Sequence, residues 1–412
     1  MEGVLKFRDY QSSIIDRAVD ILKTSNFVYL AMEVRTGKTL TSLGAIDKMG
    51  VKHALFLTKK KAISSIVGDY EKLNNPSFKL TVINYESMHK IAIEDWGVVV
   101  CDESHGLGAF PKPSRRAKDV RTLILRTRAK VIFLSGTPTP ESYSQMYHQV
   151  YGIAGNPFAS FKNFYRFCDK FVDLKERKIN GLMIKDYSHG KPSIIEAVKP
   201  YTISLTQKEA GFETETKEEV LHVTMLDSTY ALANKLKKDL VVEGAEEVVL
   251  ADTPVKLMMK LHQIYSGSVK FEGGNSKVID YTKAEFIKKY FVGKKIGIFY
   301  KFKEELNALK KVFGDSLATE LEDFDTTDKH IALQIVSGRE GISLRNADCL
   351  VYYNIDFSAT SYWQSKDRMT TKDRLKNNVY WVFSKGGIES AIYKAVTAKK
   401  DYTLSHFKRD TK

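Results

Sequence analysis

The chain has 412 residues, 43% hydrophobic and 28% charged, a globular composition with length for two or three domains. Lysine and arginine outnumber aspartate and glutamate by 64 to 50, a formal charge of +14 that excludes a strongly acidic protein and favours a polyanionic partner, nucleic acid first. Cys101, Cys168 and Cys349 stand at no metal-ligand spacing, which argues against a disulfide scaffold or a zinc knuckle. No run reaches the roughly 18 apolar residues of a membrane span, and Met1–Gln11 holds no apolar core of signal-peptide length. The expectation is a soluble, cytoplasmic protein.

Gln11–Lys23 has helical spacing and is followed by the apolar run Phe27–Met32. A second helix, Thr39–Met49, precedes four more short apolar runs, Ala54–Thr58, Leu80–Asn84, Val98–Cys101 and Val131–Ser135. Each ends in polar or glycine-containing sequence, the pattern of buried parallel strands alternating with helices. The stretch 151–275 differs. Phe158–Phe171, Asp227–Asp239 and Thr253–Tyr265 have helical spacing, and Gly211–Glu219 reads as an acidic, solvated link. The strand–helix pattern then returns, with strands Lys295–Tyr300, His330–Ser337 and Cys349–Ile355 and helices Lys303–Phe313 and Ser361–Arg374. The expected organisation is a first α/β lobe over 1–150, helical insertions and a link over 151–275, and a second α/β lobe over 276–412.

Glu33-Val34-Arg35-Thr36-Gly37-Lys38-Thr39 lies between a strand and a helix, the context of a phosphate-binding loop. Loop N–H groups and the helix N-terminus would cradle phosphates, Lys38 would meet the β- and γ-phosphates, and Thr39 would place its hydroxyl on Mg²⁺. The first glycine of the general G-x-x-x-x-G-K-[ST] pattern is Met32 here. Val98–Cys101 delivers the adjacent carboxylates Asp102 and Glu103 to a strand's C-terminal end. Asp102 can hold Mg²⁺ and Glu103 can deprotonate an attacking water. Together the two motifs point to a nucleoside triphosphatase.

With these motifs in place the chain resembles superfamily 2 helicases, and within them the Swi/Snf-like translocases, from Phe7 to about Tyr402. Asp102-Glu103-Ser104-His105 is similar to that family's Asp-Glu-x-His box. Ser135-Gly136-Thr137-Pro138-Thr139-Pro140 is similar to its coupling motif, which gives His105, Ser135 and Thr137 coupling roles. Phe7-Arg8-Asp9-Tyr10-Gln11 resembles its adenine-reading box, with Gln11 on the base edge. In the last third, Ser337-Gly338-Arg339-Glu340-Gly341-Ile342-Ser343-Leu344 resembles motif V, and Gln364-Ser365-Lys366-Asp367-Arg368 the start of motif VI. The resemblance implies two tandem RecA-like lobes, ATP bound by Gln11, Arg35, Thr36, Gly37, Lys38, Thr39, Gly341 and Arg368, and a catalytic set of Lys38, Asp102, Glu103, Gln364 and Arg368. Arg368 would be the arginine finger, arriving from the second lobe. The family's second arginine position is Thr371 here, and Arg374 either replaces it or is a solvated helix end. Leu261-His262-Gln263-Ile264-Tyr265-Ser266-Gly267 is similar to the family's Leu-x-Gln-Ile-x-x-Gly stretch, and the resemblance implies that helices inserted around the lobes protrude over duplex DNA, with a generic helical linker as the alternative.

Lys112, Arg115, Arg116, Lys118, Arg121, Arg126, Arg128 and Lys130, against the single acid Asp119, form a basic run suited to backbone phosphates. Thr58-Lys59, Asn84-Tyr85 and Ser337-Gly338 occupy the family's other strand-contact positions. The implied protein is an ATP- and Mg²⁺-dependent motor on duplex or branched DNA, without base reading. Its compact size resembles phage or bacterial motors of recombination, repair or fork processing. An RNA-dependent ATPase, the motor subunit of a larger restriction or remodelling complex, and a binding module with an inactive site stay open as alternatives.

Overall fold

A computed structural model describes residues 6–398 except 74, 93–94, 180–181, 214, 245–246, 339–342, 359–360, 363–364, 366–368 and 370–375, without the side chains of 177–179, 182, 184, 337 and 338. It forms two compact units, Met1–Phe212 and Glu213–Lys412.

The first unit is built on strands β1 (Phe27–Met32), β2 (His53–Thr58), β3 (Lys79–Asn84), β4 (Val98–Cys101), β5 (Lys130–Leu134) and β8 (Thr202–Leu205). They form one all-parallel sheet in the order β3-β2-β4-β5-β1-β8. Between β5 and β8 the hairpin β6 (Lys175–Ile179) and β7 (Leu182–Asp186) pairs only with itself. Helices α1 (Asp9–Thr24), α2 (Lys38–Met49) and α3 (Ile63–Glu71) share a core with Val28, Leu30 and Met32. Helices α4 (Arg115–Thr127), α5 (Met146–Val150) and α6 (Phe164–Phe171) share the opposite core with Phe27 and Tyr29, and α7 (Ser193–Val198) closes that side. Strands covered on both faces need apolar side chains at every position, which is why these runs are continuous and not alternating. Helix α4 buries Ala117, Val120 and Ile124, spaced three and four apart, and turns its basic residues outward.

The second unit repeats the plan. Strands β9 (Glu215–Val223), β14 (Ile296–Tyr300), β15 (Leu317–Ala318), β16 (His330–Gln334), β17 (Cys349–Tyr352) and β18 (Lys376–Ser384) form an all-parallel sheet in the order β15-β16-β14-β17-β18-β9. Helices α8 (Asp227–Asp239), α9 (Pro254–Tyr265), α10 (Thr282–Tyr290) and α11 (Lys303–Phe313) accompany it. Two small antiparallel hairpins, β10 (Val241–Glu243) with β11 (Val248–Leu250) and β12 (Ser268–Lys270) with β13 (Ser276–Val278), complete the unit. The α/β architecture is therefore the tandem pair of parallel-sheet lobes expected of RecA-like units.

Several expectations change. The stretch 151–275 is no separate block: β8 completes the first sheet and β9 the second. The acidic link Gly211–Glu219 runs into β9, an edge strand whose nine residues pair with β18. Its acids are accommodated because an edge is half-solvated, and Glu218 accepts hydrogen bonds from Tyr362 and Trp381. The strand expected over His330–Ser337 stops at Gln334, and Ile335–Gly338 is helical. In Phe158–Phe171 only Phe164–Phe171 is α-helical, because Asn163 caps it by accepting from the Arg166 N–H. Most of the helix expected over Ser361–Arg374 lies outside the described residues, as do Gly341, Gln364, Arg368, Thr371 and Arg374.

Candidate functional site

All six strands of the first sheet run the same way, so the loops after their C-terminal ends share one edge. On that edge lie the Glu33–Gly37 loop after β1, Thr58-Lys59 after β2, Asn84-Tyr85 after β3, Asp102-Glu103 after β4, Ser135–Thr137 after β5 and Thr206-Gln207 after β8.

The loop after β1 turns through two left-handed residues, Arg35 at φ 65° and Gly37 at φ 85°. Between them Thr36 is buried and its hydroxyl donates to the Glu33 carbonyl at 2.7 Å. Gly37 is required twice over. Its φ lies where only glycine is at ease, and a Cβ there would stand 2.3 Å from Gln11 Nε2. From α1, Tyr10 donates to the Thr36 carbonyl at 3.1 Å and Gln11 Nε2 to the Gly37 carbonyl at 3.5 Å. From the far side, the Gln207 N–H donates to Glu33 Oε2 at 2.7 Å and Gln207 Nε2 to the Val34 carbonyl at 3.0 Å. Lys38 opens α2 and its ammonium donates back to the Met32 and Glu33 carbonyls at 3.0 and 3.4 Å. Thr39 is half-buried in the first helical turn.

Gln11, expected on the base edge, packs against the Gly37 turn. It is buried, its Oε1 accepts from the Arg8 N–H at 3.0 Å, and its Nε2 faces the Gly37 carbonyl.

The carboxylate pair sits on a constrained turn. Asp102 continues the ladder through its N–H to the Leu57 carbonyl, and its own carbonyl accepts from Tyr85 Oη at 2.6 Å. Asp102 Oδ2 accepts from Thr58 Oγ1 at 2.7 Å. Burial and the neighbouring Glu103 push the Asp102 carboxyl up to about 7, against the pull of the Thr58 hydroxyl and the Lys38 charge. Glu103 is itself left-handed, at φ 47° and ψ 46°. His105 Nδ1 lies 3.3 Å from Glu103 Oε2 and 3.1 Å from Ser135 Oγ, and Ser135 Oγ accepts from the Thr137 N–H at 3.1 Å. The Thr137 hydroxyl is buried with no hydrogen-bond partner among the described residues.

Lys38, Asp102, Glu103, His105, Ser135 and Thr137 thus converge on one sheet edge. The expected strand-contact residues divide. Thr58 is buried and committed to Asp102, and Tyr85 is a core tyrosine under the guanidinium of Arg116, 4.7 Å from its ring centroid. Neither is presented to a polymer. Asn84 donates to Glu86 at 3.1 Å, and Arg116 reaches the same carboxylate at 2.6 Å. Those contacts, the Asn84 hydrogen bond first, hold the Glu86 carboxyl below its ordinary range. Arg115 is 94% exposed, and Lys59 lies at the exit of β2. Arg115, Arg116 and Arg126 line a surface groove of about 680 Å³ between α4 and the turn Tyr85–Lys90. The side chains of Ser337 and Gly338 lie outside the described residues.

Sequence reasoning missed three residues that contact the loops of this edge: Gln207, which bonds Glu33 and Val34, Tyr29, whose oxygen lies 2.7 Å from Ser104 Oγ, and Gln149, which donates to the Pro138 carbonyl at 2.8 Å. Gln207 follows a strand with no strand-like pattern, and Gln149 lies on a five-residue helix without a motif. No group of three or more His, Cys, Asp or Glu is placed to hold a metal among the described residues. None of the described helices is long and apolar enough to cross a membrane.

No family model matches the chain. No curated protein matches it. Solved structures do. The Sulfolobus solfataricus SWI2/SNF2 ATPase core in complex with dsDNA is 14% identical, with a TM-score of 0.44 over 99% of this chain and 95% of that one. The Sulfolobus solfataricus SWI2/SNF2 ATPase core domain is 15% identical, with a TM-score of 0.43 over 97% and 90%.

Proposed function

We propose that the protein is a nucleic-acid-dependent ATPase that moves on duplex or branched DNA. The observation that carries the reading is the convergence, on one edge of one parallel sheet, of a clamped Gly-Lys-Thr loop with the Asp102-Glu103-His105 turn and Ser135. Parallel α/β sheets bind ligands at that edge, and the two carboxylates have distinct surroundings.

Lys38 would exchange its bonds to the Met32 and Glu33 carbonyls for triphosphate oxygens. The N–H groups of the α2 N-terminus would add their dipole. Thr39 and Asp102 are the residues that would hold Mg²⁺, which supplies charge neutralisation between the phosphates when bound. They fit that ion, because Mg²⁺ in such sites uses one or two protein oxygens with the substrate's phosphates. The pair of close carboxylates that lifts Asp102 toward neutrality is also what a divalent cation favours. Glu103 has the position of a general base, with a histidine at its Oε2 to orient it. The contact from His105 to Ser135 ties that base to the loop after β5 and offers a route from hydrolysis to motion.

The outward basic face of α4, with Arg115 and Arg126, is the surface proposed for phosphate backbone. The cellular role we propose is recombination, repair or fork processing in the cytoplasm of a bacterium or an infected host. Arg368, Gln364 and Gly341 enter this reading from the sequence alone.

The test is steady-state ATP hydrolysis, alone and with duplex, single-stranded and branched DNA and with RNA, with Glu103→Gln as control. Stimulation by duplex or branched DNA that vanishes in the control supports the reading. Preferential stimulation by RNA overturns the DNA assignment, and no hydrolysis under any condition overturns the enzyme assignment.

A further inference from the structure

A buried hydrogen-bond chain runs behind the catalytic edge through Tyr29, Ser104 and Gln149, none of which has a catalytic or binding role above. Tyr29, in the middle of β1, is fully buried, and its hydroxyl donates to Gln149 Oε1 at 2.8 Å. The Tyr29 oxygen also lies 2.7 Å from Ser104 Oγ, between Glu103 and His105. Because the single Tyr29 proton goes to an acceptor-only oxygen, the Ser104 hydroxyl is the donor between the two, its one proton shared with the Leu134 carbonyl at 3.3 Å. Gln149 in turn donates through Nε2 to the Pro138 carbonyl at 2.8 Å and the Gln145 carbonyl at 3.3 Å. One phenol and one amide thus join the strand before the phosphate loop, the turn of the carboxylates and the segment after Ser135. Burial pushes the Tyr29 hydroxyl far above its ordinary range, so it stays a neutral donor throughout the working pH range.

The turn needs such support. Glu103 holds a left-handed conformation that costs a non-glycine residue free energy and persists only where its surroundings over-determine it. Upstream, Leu57 and Tyr85 hold Asp102. Downstream, the Ser104 side chain is held by Tyr29, with a longer contact to the Leu134 carbonyl at 3.3 Å. The helix carrying Gln149 lies against the end of this turn, where a Cβ on Gly108 would stand 2.7 Å from the Gln145 carbonyl and 3.1 Å from Gln149 Nε2.

We infer that Tyr29 and Gln149 are positioning residues for Glu103: the hydroxyl of Tyr29 pins Ser104, and so aims the Glu103 carboxylate, to the same amide that holds the loop after Ser135. The inference rests on the ATPase reading above. Tyr29→Phe keeps the ring in its core and removes only the hydroxyl. Its expected effect is a fall in kcat of about tenfold, with KM for ATP within about twofold, because misaimed general bases lose rate before ground-state binding. Gln149→Leu should lower kcat to a similar degree, and the double variant should be no worse than the single ones, since both cut one chain.

The decisive control is Tyr29→Phe in a Glu103→Gln background, where residual hydrolysis should not fall further. A general loss of folding would lower both backgrounds and the melting temperature together. A Tyr29→Phe enzyme with unchanged kcat, an effect confined to KM, or an equal fall in the Glu103→Gln background overturns the inference and leaves the ATPase reading standing. Absence of hydrolysis by the unsubstituted protein overturns the ATPase reading itself.

Discussion

Asp102→Asn should stabilise the protein at neutral and alkaline pH while abolishing the proposed ATP hydrolysis. The Asp102 carboxyl is pushed from 3.8 to about 7, chiefly by burial and then by Glu103. A group whose folded pKa is raised favours the folded state fully below its unfolded value and loses that contribution as pH climbs to the folded one. The penalty therefore grows between about pH 4 and pH 7 and is complete above it. At 1.36 kcal/mol per pH unit a change of this size corresponds to about 4 kcal/mol. Solvent reaching the partly exposed side chain reduces the expectation to about 1–3 kcal/mol. Asparagine keeps an oxygen for the Thr58 hydroxyl and carries no charge to desolvate. For a unit of this size each kcal/mol moves Tm by roughly 2–4 °C. Thermal unfolding of both proteins from pH 5 to pH 8.5 should show Asp102→Asn melting higher at pH 8.5, with the gap shrinking toward pH 5. A variant that melts lower at pH 8.5, or a gap independent of pH, refutes the argument that Asp102 is held against its own charge.

Other expectations follow from single contacts. Gly37→Ala places a side chain at φ 85° and 2.3 Å from Gln11 Nε2, so it should cost about 1–3 kcal/mol in urea unfolding and weaken binding of a fluorescent ATP analogue. Lys283 and Glu389 form a fully buried ion pair at 2.8 Å in the second unit. Lys283→Met should lose about 3–5 kcal/mol by denaturant titration, and Lys283→Met with Glu389→Leu should recover much of it, because the cost lies in the charge left unpaired. Arg115→Ala should lower the slope of log affinity for duplex DNA against log salt by about 0.9, whereas Tyr85→Phe should leave that slope unchanged, since the ring is buried.

The local motifs were legible because their chemistry is short-range. A glycine before Lys38 and Thr39, and an apolar strand ending in Asp102 and Glu103, declare themselves within a few residues. The central strands were legible for the same reason: burial on both faces leaves an unbroken apolar run, as in Phe27–Met32 and Val98–Cys101. The edge strands β8 and β9 were not, because an edge is only half-buried and tolerates the acids that made Gly211–Glu219 look like a solvated link. That same misreading moved the domain boundary, since two strands supposed to lie in a helical middle complete the two sheets.

The roles of individual polar residues were decided by the third dimension. Thr58 and Tyr85 sit where a backbone contact was expected, yet a hydroxyl beside an ionisable carboxylate and a ring under Arg116 are satisfied inside the protein. Gln11 likewise supports the loop it was expected to accompany. Tyr29, Gln149 and Gln207 carry no motif at all. Their hydrogen-bond partners lie 75, 120 and 174 residues away, distances over which sequence pattern holds no information. The sequence by itself determined which chemical groups stand at the strand ends and that the strands are parallel and buried. Only the tertiary structure decided which of those groups face the ligand edge and which are spent holding it, because that depends on strand order and on hydrogen bonds between segments far apart in the chain.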